Sequence, residues 1–326
     1  SIWDWYADRP ELLDDRTLET DWRGRAARDE LRPTGPILGI MPWNFPYYQV
    51  ARLAAPNLLL GNPVVIKHAG SCTGAALAMQ AMADASGLPD GVYQTVLASN
   101  AQVATMIADP RIQGVSLTGS ERAGAAVAEV AGRSLTRCVL ELGGSDPFIV
   151  LSTADLDRLV DVAIAARTRN CGQACTSAKR FIVEASLHDA FVERLAAGMR
   201  ALRIGSPLEE GVDLGPMSSE AAAADLVAQV ASAVAEGATL VTGGVRIPGP
   251  GAFVEPGILT GVTPAMRVWH EELFGPVAMV VPVADAAEAV RVANDSPFGL
   301  GANVFDDADP ERAAWVAERL EAGMVS

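Results

Sequence analysis

Histidine and cysteine are scarce in this sequence, which restricts the kinds of site it can form. Its 326 residues include three histidines and four cysteines. The histidines are His68, His188 and His270. None of them has metal-ligand spacing to another, and Cys171 with Cys175 supplies only half of a tetrahedral metal site. Four cysteines also fall short of the density of a disulfide scaffold. The sequence therefore predicts reduced thiols and no metal centre.

Several catalytic motifs and all long apolar runs are missing as well. The sequence contains no GxSxG, HExxH, GxxxxGK(S/T) or GxGxxG motif, which argues against the enzyme classes built on them. No apolar run approaches the ~18 residues of a membrane span, and the first residues do not resemble a signal peptide. These absences predict a cytoplasmic protein.

Positive charge is in short supply. There are 25 Lys and Arg residues against 40 Asp and Glu residues, which gives a formal net charge of -15. Nucleic acid and an anionic membrane would both repel such a chain, so a small molecule is the predicted partner. With 50% hydrophobic residues, the chain is long enough to form two globular domains.

Short β-rich runs alternate with longer Ala-rich stretches from residue 35 onward. Such alternation is typical of a doubly wound α/β fold with a parallel sheet. The predicted strands are 36–41, 63–67, 92–98, 114–119 and 137–142, and the predicted helices are 47–60 and 73–86. Gly61 and Gly87 follow the two helices and suit the left-handed position beyond a helix C-terminus.

The pattern restarts after the glycines at 143 and 144, which predicts one domain over 1–142 and another over 143–326. The second domain is predicted to contain strands FIVL and RFIVE, helices near 155–169 and 187–203, and turn-rich segments at 205–216 and 243–251. Residues 15–34 are less regular and are predicted to form an extended arm.

The strongest local signal for a site is NCGQACTSAKR at 170–180. Cys175 lies there in a loop of small and polar residues without the apolar neighbours that would bury it. Free cysteine is nevertheless often a buried packing residue. Taken by itself, this position is equally compatible with a reactive thiol and with a packing role.

Two further motifs favour a reactive site. Glu141 of ELGGSDPF ends a β-rich run, where open α/β sheets place their chemistry, although a solvated carboxylate would look the same. Asn44 of PWNFP is held between two prolines, and its amide could donate to a developing oxyanion. The alternative for Asn44 is a rigid turn with local hydrogen bonds.

Two features suggest binding of a phosphate. In LTGSERAG, Gly119 and Ser120 lead from a strand into a helix whose first amides could receive a phosphate. The glycine is equally compatible with a purely geometric role. Lys67 ends the second predicted strand at the same sheet edge, where a surface lysine would look identical.

Together and in this order, PWNFP, VVIKHAG, LTGSxxxG, ELGGSDP, NCGQAC and EELFGP resemble the aldehyde dehydrogenase superfamily. The resemblance extends from about residue 15 to the end of the chain. KHA, ELGGSDPFIV and AKRFIV are most similar to the NADP-type succinate-semialdehyde dehydrogenase branch. The resemblance implies a Rossmann-like cofactor domain, an α/β catalytic domain, and oxidation of an aldehyde to a carboxylate through a cysteine thioester.

The same resemblance assigns the catalytic roles. Cys175 matches the nucleophile, Glu141 the general base that activates water, and Asn44 the oxyanion donor, partnered by the backbone amide of Cys175. A thiolate adds to the aldehyde, hydride leaves, and water hydrolyses the thioester. This scheme needs no histidine, so the scarcity of histidine favours it over a Cys–His hydrolase.

A nicotinamide cofactor is implied as hydride acceptor. The residues assigned to it are Trp43 at its border, Lys67 at the adenosine ribose, Gly119 and Ser120 at the pyrophosphate, Glu272 at the nicotinamide ribose, and Phe274 packed on that ring. Gly70 stands where many NAD-preferring relatives have a Glu that would repel a 2′-phosphate. We therefore expect NADP to be used at least as well as NAD.

Two arginines match positions where succinate-semialdehyde dehydrogenases hold the substrate carboxylate. Arg52 lies eight positions after Asn44, and Arg169 lies six before Cys175. Guanidinium groups bind carboxylates in a bidentate manner. The alternative for each is a surface or helix-end arginine. The expected substrate is a short semialdehyde with a distal carboxylate.

Compared with the family pattern, the chain is expected to lack elements at both ends, since it begins at Ser1 and stops at Ser326. The arm at 15–34 matches a family segment that assembles homodimers and homotetramers. Cys171 is expected to be either an idle loop thiol or a regulatory disulfide partner of Cys175. Three other functions stay open, namely a dehydrogenase for another aldehyde, a cofactor-free thiol hydrolase or acyltransferase, and a non-catalytic relative.

Overall fold

The computed structural model describes residues 1–19 and 26–326. The chain divides into two compact units, unit 1 over Ser1–Leu142 and unit 2 over Gly143–Ser326. Each unit contains a predominantly parallel sheet and its own buried apolar clusters. The α/β fold class predicted from the alternation of strands and helices is confirmed.

Unit 1 has the predicted order of strands and helices. Its strands are β1 (Arg16–Leu18), β2 (Ala27–Asp29), β3 (Ile37–Met41), β4 (Val64–His68), β5 (Tyr93–Thr95), β6 (Gly114–Thr118) and β7 (Arg137–Glu141). Its α-helices are α1 (Ile2–Ala7), α2 (Pro46–Leu60), α3 (Thr73–Ala85), α4 (Asn100–Ile107) and α5 (Glu121–Ser134). The strand predicted at 92–98 is shorter, because β5 pairs with β4 only as far as Thr95.

The main sheet of unit 1 is doubly wound. Its strand order is β5-β4-β3-β6-β7, and all of its pairs are parallel. From β3 the chain adds β4 and β5 toward one edge of the sheet. It then adds β6 and β7 on the other side of β3, toward the opposite edge. The carboxyl ends of β3 and β6 therefore meet where the order reverses, which is where such sheets bind ligands. Asn44 follows β3 and Gly119 follows β6.

Helix α2 begins directly after PWNFP. Pro46 occupies its first turn, where a missing N–H costs nothing, and Gly61 ends it with φ 92°. Apolar side chains that include Val50 and Ala54 bury the inner face of the helix. The helix start thus fixes one end of the turn that carries Asn44.

Part of the predicted arm forms a pair of short antiparallel strands. β1 pairs with β2 from Arg16 opposite Asp29 to Leu18 opposite Ala27. The rest of the predicted arm includes residues 20–25, which lie outside the described residues.

Unit 2 restarts the alternation as predicted. Its strands are β8 (Asp146–Ser152), β9 (Ala178–Glu184), β10 (Thr239–Thr242), β11 (Gly257–Thr260), β12 (Val277–Val283), β13 (Gly301–Asp306) and β14 (Met324–Val325). Its α-helices are α6 (Leu156–Thr168), α7 (Ala185–Ala201), α8 (Glu220–Ala235), α9 (Ala286–Asn294) and α10 (Pro310–Ala317). Within the described ranges, none of the helices is both long and apolar enough to cross a membrane.

The sheet of unit 2 is buried on both faces. Its order is β10-β11-β12-β9-β8-β13-β14, parallel except between β10 and β11. Along β8, Ile149 and Leu151 enter one apolar cluster, whereas Phe148 and Val150 enter the other. A strand covered on both sides reads as a continuous apolar run, which explains the FIVL signal.

The residues of interest in unit 2 lie before strands rather than after them. Cys175 precedes β9, and Glu272 with Phe274 precedes β12. β9 and β12 are parallel neighbours, paired from Arg180 opposite Met279 onward. The amino ends of these two strands are therefore adjacent, and this adjacency brings the two segments together.

Candidate active site

Cys175 lies in a tight turn just before β9, and its side chain is half-buried. Burial raises the pKa of its thiol, whereas the nearby Lys179 ammonium and the Thr176 amide lower it. A free, partly accessible thiol with cationic and amide partners can act as a nucleophile once it loses its proton.

The chain enters this turn through a left-handed segment. Asn170, Cys171 and Gly172 have φ values of 52°, 56° and 69°. Residues with a Cβ rarely adopt this region. A Cβ on Gly172 would lie 2.4 Å from the carbonyl carbon of Gly275, so this position requires glycine. The segment is a strained backbone of the kind found at functional sites.

Buried polar side chains hold the left-handed segment. Arg167, which is fully buried, donates from Nη2 to the carbonyl of Gly172 at 2.7 Å. Gln173 donates from Nε2 to the carbonyl of Asn170 at 3.2 Å and accepts from the Ser218 amide at 2.8 Å. These bonds offset the cost of the unusual backbone by satisfying its polar groups.

Lys179 joins the turn to a second segment. Its side chain is 0% exposed, and its Nζ donates to the carbonyls of Ala174 at 2.8 Å and Cys175 at 2.7 Å. The same Nζ lies 3.0 Å from Oε1 of Glu272. Oε1 of Glu272 also accepts from the amide of Gly144 at 3.2 Å. The Cys175 turn and Glu272 are therefore parts of one polar network.

The ring of Phe274 completes this group. Its centroid lies 5.9 Å from Nζ of Lys179, within the range of a cation–π contact. Asp146, at the start of β8, is nearly fully buried and accepts from the Gly301 amide at 3.1 Å. Burial raises the pKa of Asp146, and Lys179 opposes that effect. Carboxylates and cations thus alternate around the amino ends of the central strands.

Cys171 has a different environment from Cys175. It is buried in the apolar core, with Sγ 3.4 Å from the carbonyl of Gly215 and 3.9 Å from the sulfur of Met217. Burial raises the pKa of its thiol to about 12. Both cysteines are free thiols. The packing role weighed for Cys175 therefore describes Cys171, which is a core thiol rather than an idle loop residue.

In unit 1, Glu141 and Arg52 are neighbours. Glu141 ends β7, and its Oε1 lies 3.5 Å from Nη2 of Arg52 on α2. Arg52 also reaches Gln49 through Nη1 at 3.4 Å. The predicted base and one predicted carboxylate-binding residue thus face each other. The other predicted arginine, Arg169, is exposed and caps the C-terminus of α6.

Asn44 and Trp43 occupy the bend between β3 and α2, and both are half-buried. The thiol of Cys72 donates to the carbonyl of Trp43 at 3.7 Å. This contact ties the bend after β3 to the 3-10 turn Gly70–Cys72 after β4. The predicted oxyanion donor and the predicted ribose-binding turn therefore share one edge of the sheet.

Lys67 near the end of β4 and Gly70 in the turn after it fit a nucleotide with a 2′-phosphate. Lys67 is half-buried and forms no ion pair with any other residue in the described part of the chain. A Cβ placed on Gly70 would meet nothing within 4 Å. A cation without a counter-ion beside open space is what an additional phosphate requires.

The turn after β6 is more fully occupied than the sequence suggested. The amide of Gly119 donates to the carbonyl of Glu141 at 2.9 Å, so this amide is already bonded. Ser120 is the N-cap of α5, and its hydroxyl accepts from the Ala123 amide at 3.3 Å. Of the first amides of this helix, which the sequence predicted to be free, that of Ala123 is already bonded. The start of α5 still presents the positive end of a helix dipole.

Sequence reasoning missed the buried polar residues that support the site. They are Arg167, Gln173, Lys179 and Asp146. Lys179 and Arg180 lie near the start of β9, before its apolar run at 181–183, and both are almost fully buried. Arg180 donates to the carbonyls of Ser145, Val292 and Ala293 at 2.8–2.9 Å. Two adjacent cations beside an apolar strand could have indicated this support. Charges are buried only when they are paired, so such cations predict nearby acceptors.

Comparison with known proteins gives consistent matches over the whole chain. The model of the aldehyde dehydrogenase family matches residues 1–326. A succinate-semialdehyde dehydrogenase [NADP(+)] of Deinococcus radiodurans is 52% identical over 326 residues, which are 100% of this chain and 68% of that protein. The succinate semialdehyde dehydrogenase [NAD(P)+] Sad of Escherichia coli is 45% identical, over 100% of this chain and 70% of that protein.

A solved structure agrees with these relatives. The succinic semialdehyde dehydrogenase of Streptococcus pyogenes, in complex with NADP+ as the cofactor, superposes with a TM-score of 0.96. It is 43% identical, and the match covers 99% of this chain and 71% of that chain. The family resemblance and the fold inferred from the sequence motifs are thereby confirmed.

Proposed function

Because the chain belongs to the aldehyde dehydrogenase family, we propose that it oxidises succinate semialdehyde to succinate with NADP or NAD, using Cys175 as nucleophile. The single observation that carries this proposal is the polar network in which Lys179 joins the Cys175 turn to Glu272. It puts the proposed nucleophile beside the proposed nicotinamide-ribose ligand. Relatives of 45% and 52% identity named for this substrate support the choice of aldehyde.

The first step is addition of the Cys175 thiolate to the aldehyde carbon. The carbonyl oxygen becomes an oxyanion, for which the side-chain amide of Asn44 and the backbone amide of Cys175 are the proposed donors. Loss of one such donor typically lowers the rate ~10²- to 10³-fold. Burial raises the pKa of Cys175, so the Lys179 ammonium and the Thr176 amide matter for formation of the thiolate.

The nicotinamide cofactor, when bound, accepts the hydride that leaves the former aldehyde carbon. Lys67 and the open position at Gly70 would hold its adenosine ribose with a 2′-phosphate, Ser120 its pyrophosphate, and Glu272 its nicotinamide ribose. Phe274 would pack beside the ring and Trp43 at the border of the site. The NADP or NAD named for the relatives supports this assignment.

The second half of the reaction releases the acid from the thioester on Cys175. Glu141 is the proposed base that takes a proton from the attacking water. Its carboxylate is partly exposed and lies at the carboxyl end of β7, where water can reach it. Arg52 contacts Oε1 of this carboxylate at 3.5 Å, and Oε2 is the oxygen proposed to take the proton.

The distal carboxylate of the substrate is assigned to Arg52 and Arg169. Both side chains carry a permanent charge, and both lie outside the buried cores of their units. A planar guanidinium forms two parallel bonds to a carboxylate, which an uncharged aldehyde cannot provide. We therefore expect the enzyme to prefer a semialdehyde with a carboxylate over an uncharged aldehyde.

Absorbance of the reduced cofactor tests this proposal. Purified full-length protein would receive succinate semialdehyde or butanal with NADP or NAD, and Cys175→Ala would be compared with Cys138→Ala, an exposed thiol on β7. We expect turnover that favours the carboxylated aldehyde, persists in Cys138→Ala and is lost in Cys175→Ala. Thioester hydrolysis without any cofactor would instead support a thiol hydrolase, and no turnover in the native protein would reject the proposal.

We further propose that the protein works as a homodimer or homotetramer in the cytoplasm. Support comes from the antiparallel pairing of β1 and β2, which lie within the segment matched to the family arm. Light scattering on the eluting peak of a sizing column would give the mass. A monomer at working concentrations would reject the assembly.

A further inference from the structure

Lys179 is assigned no contact with substrate or cofactor in the proposed reaction, yet it is the most completely bonded cation near Cys175. An ammonium has three protons, and Nζ has three acceptors, namely the carbonyls of Ala174 and Cys175 and the carboxylate of Glu272. No proton is left to bind substrate or water. The side chain therefore acts on its protein neighbours.

The two carbonyls belong to the two peptide units that flank the nucleophile. In a planar trans peptide the N–H points opposite to the preceding C=O. A cation that fixes the carbonyl of Ala174 thus directs the amide of Cys175 away from itself. In the same way, fixing the carbonyl of Cys175 directs the amide of Thr176. One ammonium determines the direction of both amides.

Each of these amides has a task in the proposed mechanism. The Cys175 amide is the backbone donor to the oxyanion. The Thr176 amide is bonded to the Cys175 sulfur and lowers the pKa of that thiol against the effect of burial. The positive charge on the two carbonyls also polarises both peptide units, which strengthens their N–H groups as donors.

The third bond connects the turn with the proposed cofactor site. Glu272 is held between Nζ of Lys179 and the amide of Gly144. A loss of the ammonium would take this counter-charge from the partly buried carboxylate of Glu272 and this donor from the two carbonyls, and both losses are costly. The residue at this position must therefore be cationic and must fit a fully buried space.

We propose that Lys179 is a positioning residue that aims the amides of Cys175 and Thr176, and thereby sets both the oxyanion donor and the reactivity of the thiol. This inference rests on the proposed function for the role of the oxyanion donor. Its effect on the thiol is independent of substrate and cofactor, because alkylation of Cys175 requires neither.

The test compares Lys179→Met and Lys179→Gln with the native protein. Iodoacetamide alkylation from pH 6 to 10 would be followed by tandem mass spectrometry. Fragment ions assign the label to Cys175 rather than to Cys171, because both cysteines lie in the tryptic peptide 170–179. Arg133→Met, which removes an exposed charge on α5, is the control for loss of one cation. Circular dichroism and thermal unfolding would show which variants fold. If Lys179→Met does not fold, Lys179→Gln still supplies two N–H donors for the carbonyls.

We expect the midpoint of the alkylation profile to move to higher pH in both lysine variants and not in Arg133→Met. The kcat with succinate semialdehyde should fall ~10²- to 10³-fold, as for loss of an oxyanion donor, with a smaller change in the KM of the aldehyde. Lys179→Arg, which keeps the charge, should restore part of the alkylation profile.

Other outcomes overturn the inference. A folded variant with the native alkylation profile would mean that Lys179 does not act on the thiol. A variant that changes only the KM of the cofactor would reduce its role to anchoring Glu272. If the native protein does not reduce the cofactor at all, the proposed function fails, whereas the alkylation profile still decides the inference.

Discussion

Nη2 of Arg52 lies 3.5 Å from Oε1 of Glu141, although 89 positions separate the two residues in the chain. The side chains are 41% and 37% exposed, so water screens the pair, and it contributes little to stability. The arginine can therefore exchange this carboxylate for that of a substrate at small cost. The contact joins the proposed base and the proposed substrate-binding residue in one part of unit 1.

Replacement of Arg52 tests its role in selectivity. In Arg52→Gln we expect the KM for succinate semialdehyde to rise ~10- to 100-fold, since a hydrogen bond to a charged group contributes about 1.5–3 kcal/mol. The kinetics with butanal should hardly change. Arg200→Gln, an exposed arginine on α7, serves as the control. Equal losses with both aldehydes would show that Arg52 does not recognise the carboxylate.

Gly70 offers a test of cofactor preference. In Gly70→Glu a carboxylate would stand near Lys67, where the added side chain meets no neighbour within 4 Å of its Cβ. We expect the KM for NADP to rise at least ~10-fold from charge repulsion, with NAD used as well as before or better. Gly74→Glu on α3 is the matched control, because its Cβ also has open space. An unchanged ratio of the two cofactors would contradict the assignment.

The left-handed segment before Cys175 should tolerate no side chain at Gly172. In Gly172→Ala the new Cβ would collide with the backbone of Gly275, and φ is 69°. We expect the free energy of unfolding to fall by ~1–3 kcal/mol and activity to fall with it. Gly132→Ala in α5, where nothing lies within 4 Å, should be neutral or slightly stabilising. Urea titration measures the free energy of unfolding of both variants. Equal values would show that the backbone at Gly172 is not strained by a side chain.

Cys171 predicts a dependence of stability on alkaline pH. Burial raises the pKa of its thiol from 9.0 to about 12. The contribution to the free energy of unfolding is fully present below the unfolded pKa of 9.0 and is lost as the pH rises toward 12.

The loss from this one group should reach about 1.36 kcal/mol per pH unit within that range. Cys171→Ala should be less stable than the native protein at pH 7, because it leaves a gap in the core. Above pH 9 the stabilities of the two proteins should converge in denaturant titrations at successive pH values. Parallel curves throughout would show that Cys171 ionises as freely as in the unfolded chain.

The order of strands and helices was readable from the sequence because local signals and burial agree. FIVL of β8 is apolar on both faces, and Gly61 ends α2 at a positive φ, as its position after an apolar helix predicted. The end of β5 was not readable, since VLA continues to look like strand although the pairing with β4 stops at Thr95. Where a strand ends depends on its partner rather than on its own residues.

The site was predicted only in part for a similar reason. Cys175, Glu141 and Asn44 stand out because each is a polar residue within a recognisable motif. Lys179 and Arg167 do not, because their importance comes from backbone carbonyls brought near by the fold. A sequence shows which side chains carry charge, but the acceptors that make a buried charge tolerable come from the tertiary structure.

The chain has two lysines, and the fold gives them opposite reactivities toward amine-modifying reagents. Lys179 is fully buried with each proton bonded, so an acylating ester cannot reach it, whereas Lys67 is half-buried and carries no ion pair within the described residues. Within residues 1–326, such a reagent should therefore mark Lys67 and spare Lys179. Lys67 lies at the proposed ribose end of the cofactor site, so its acylation is a natural label for nucleotide occupancy.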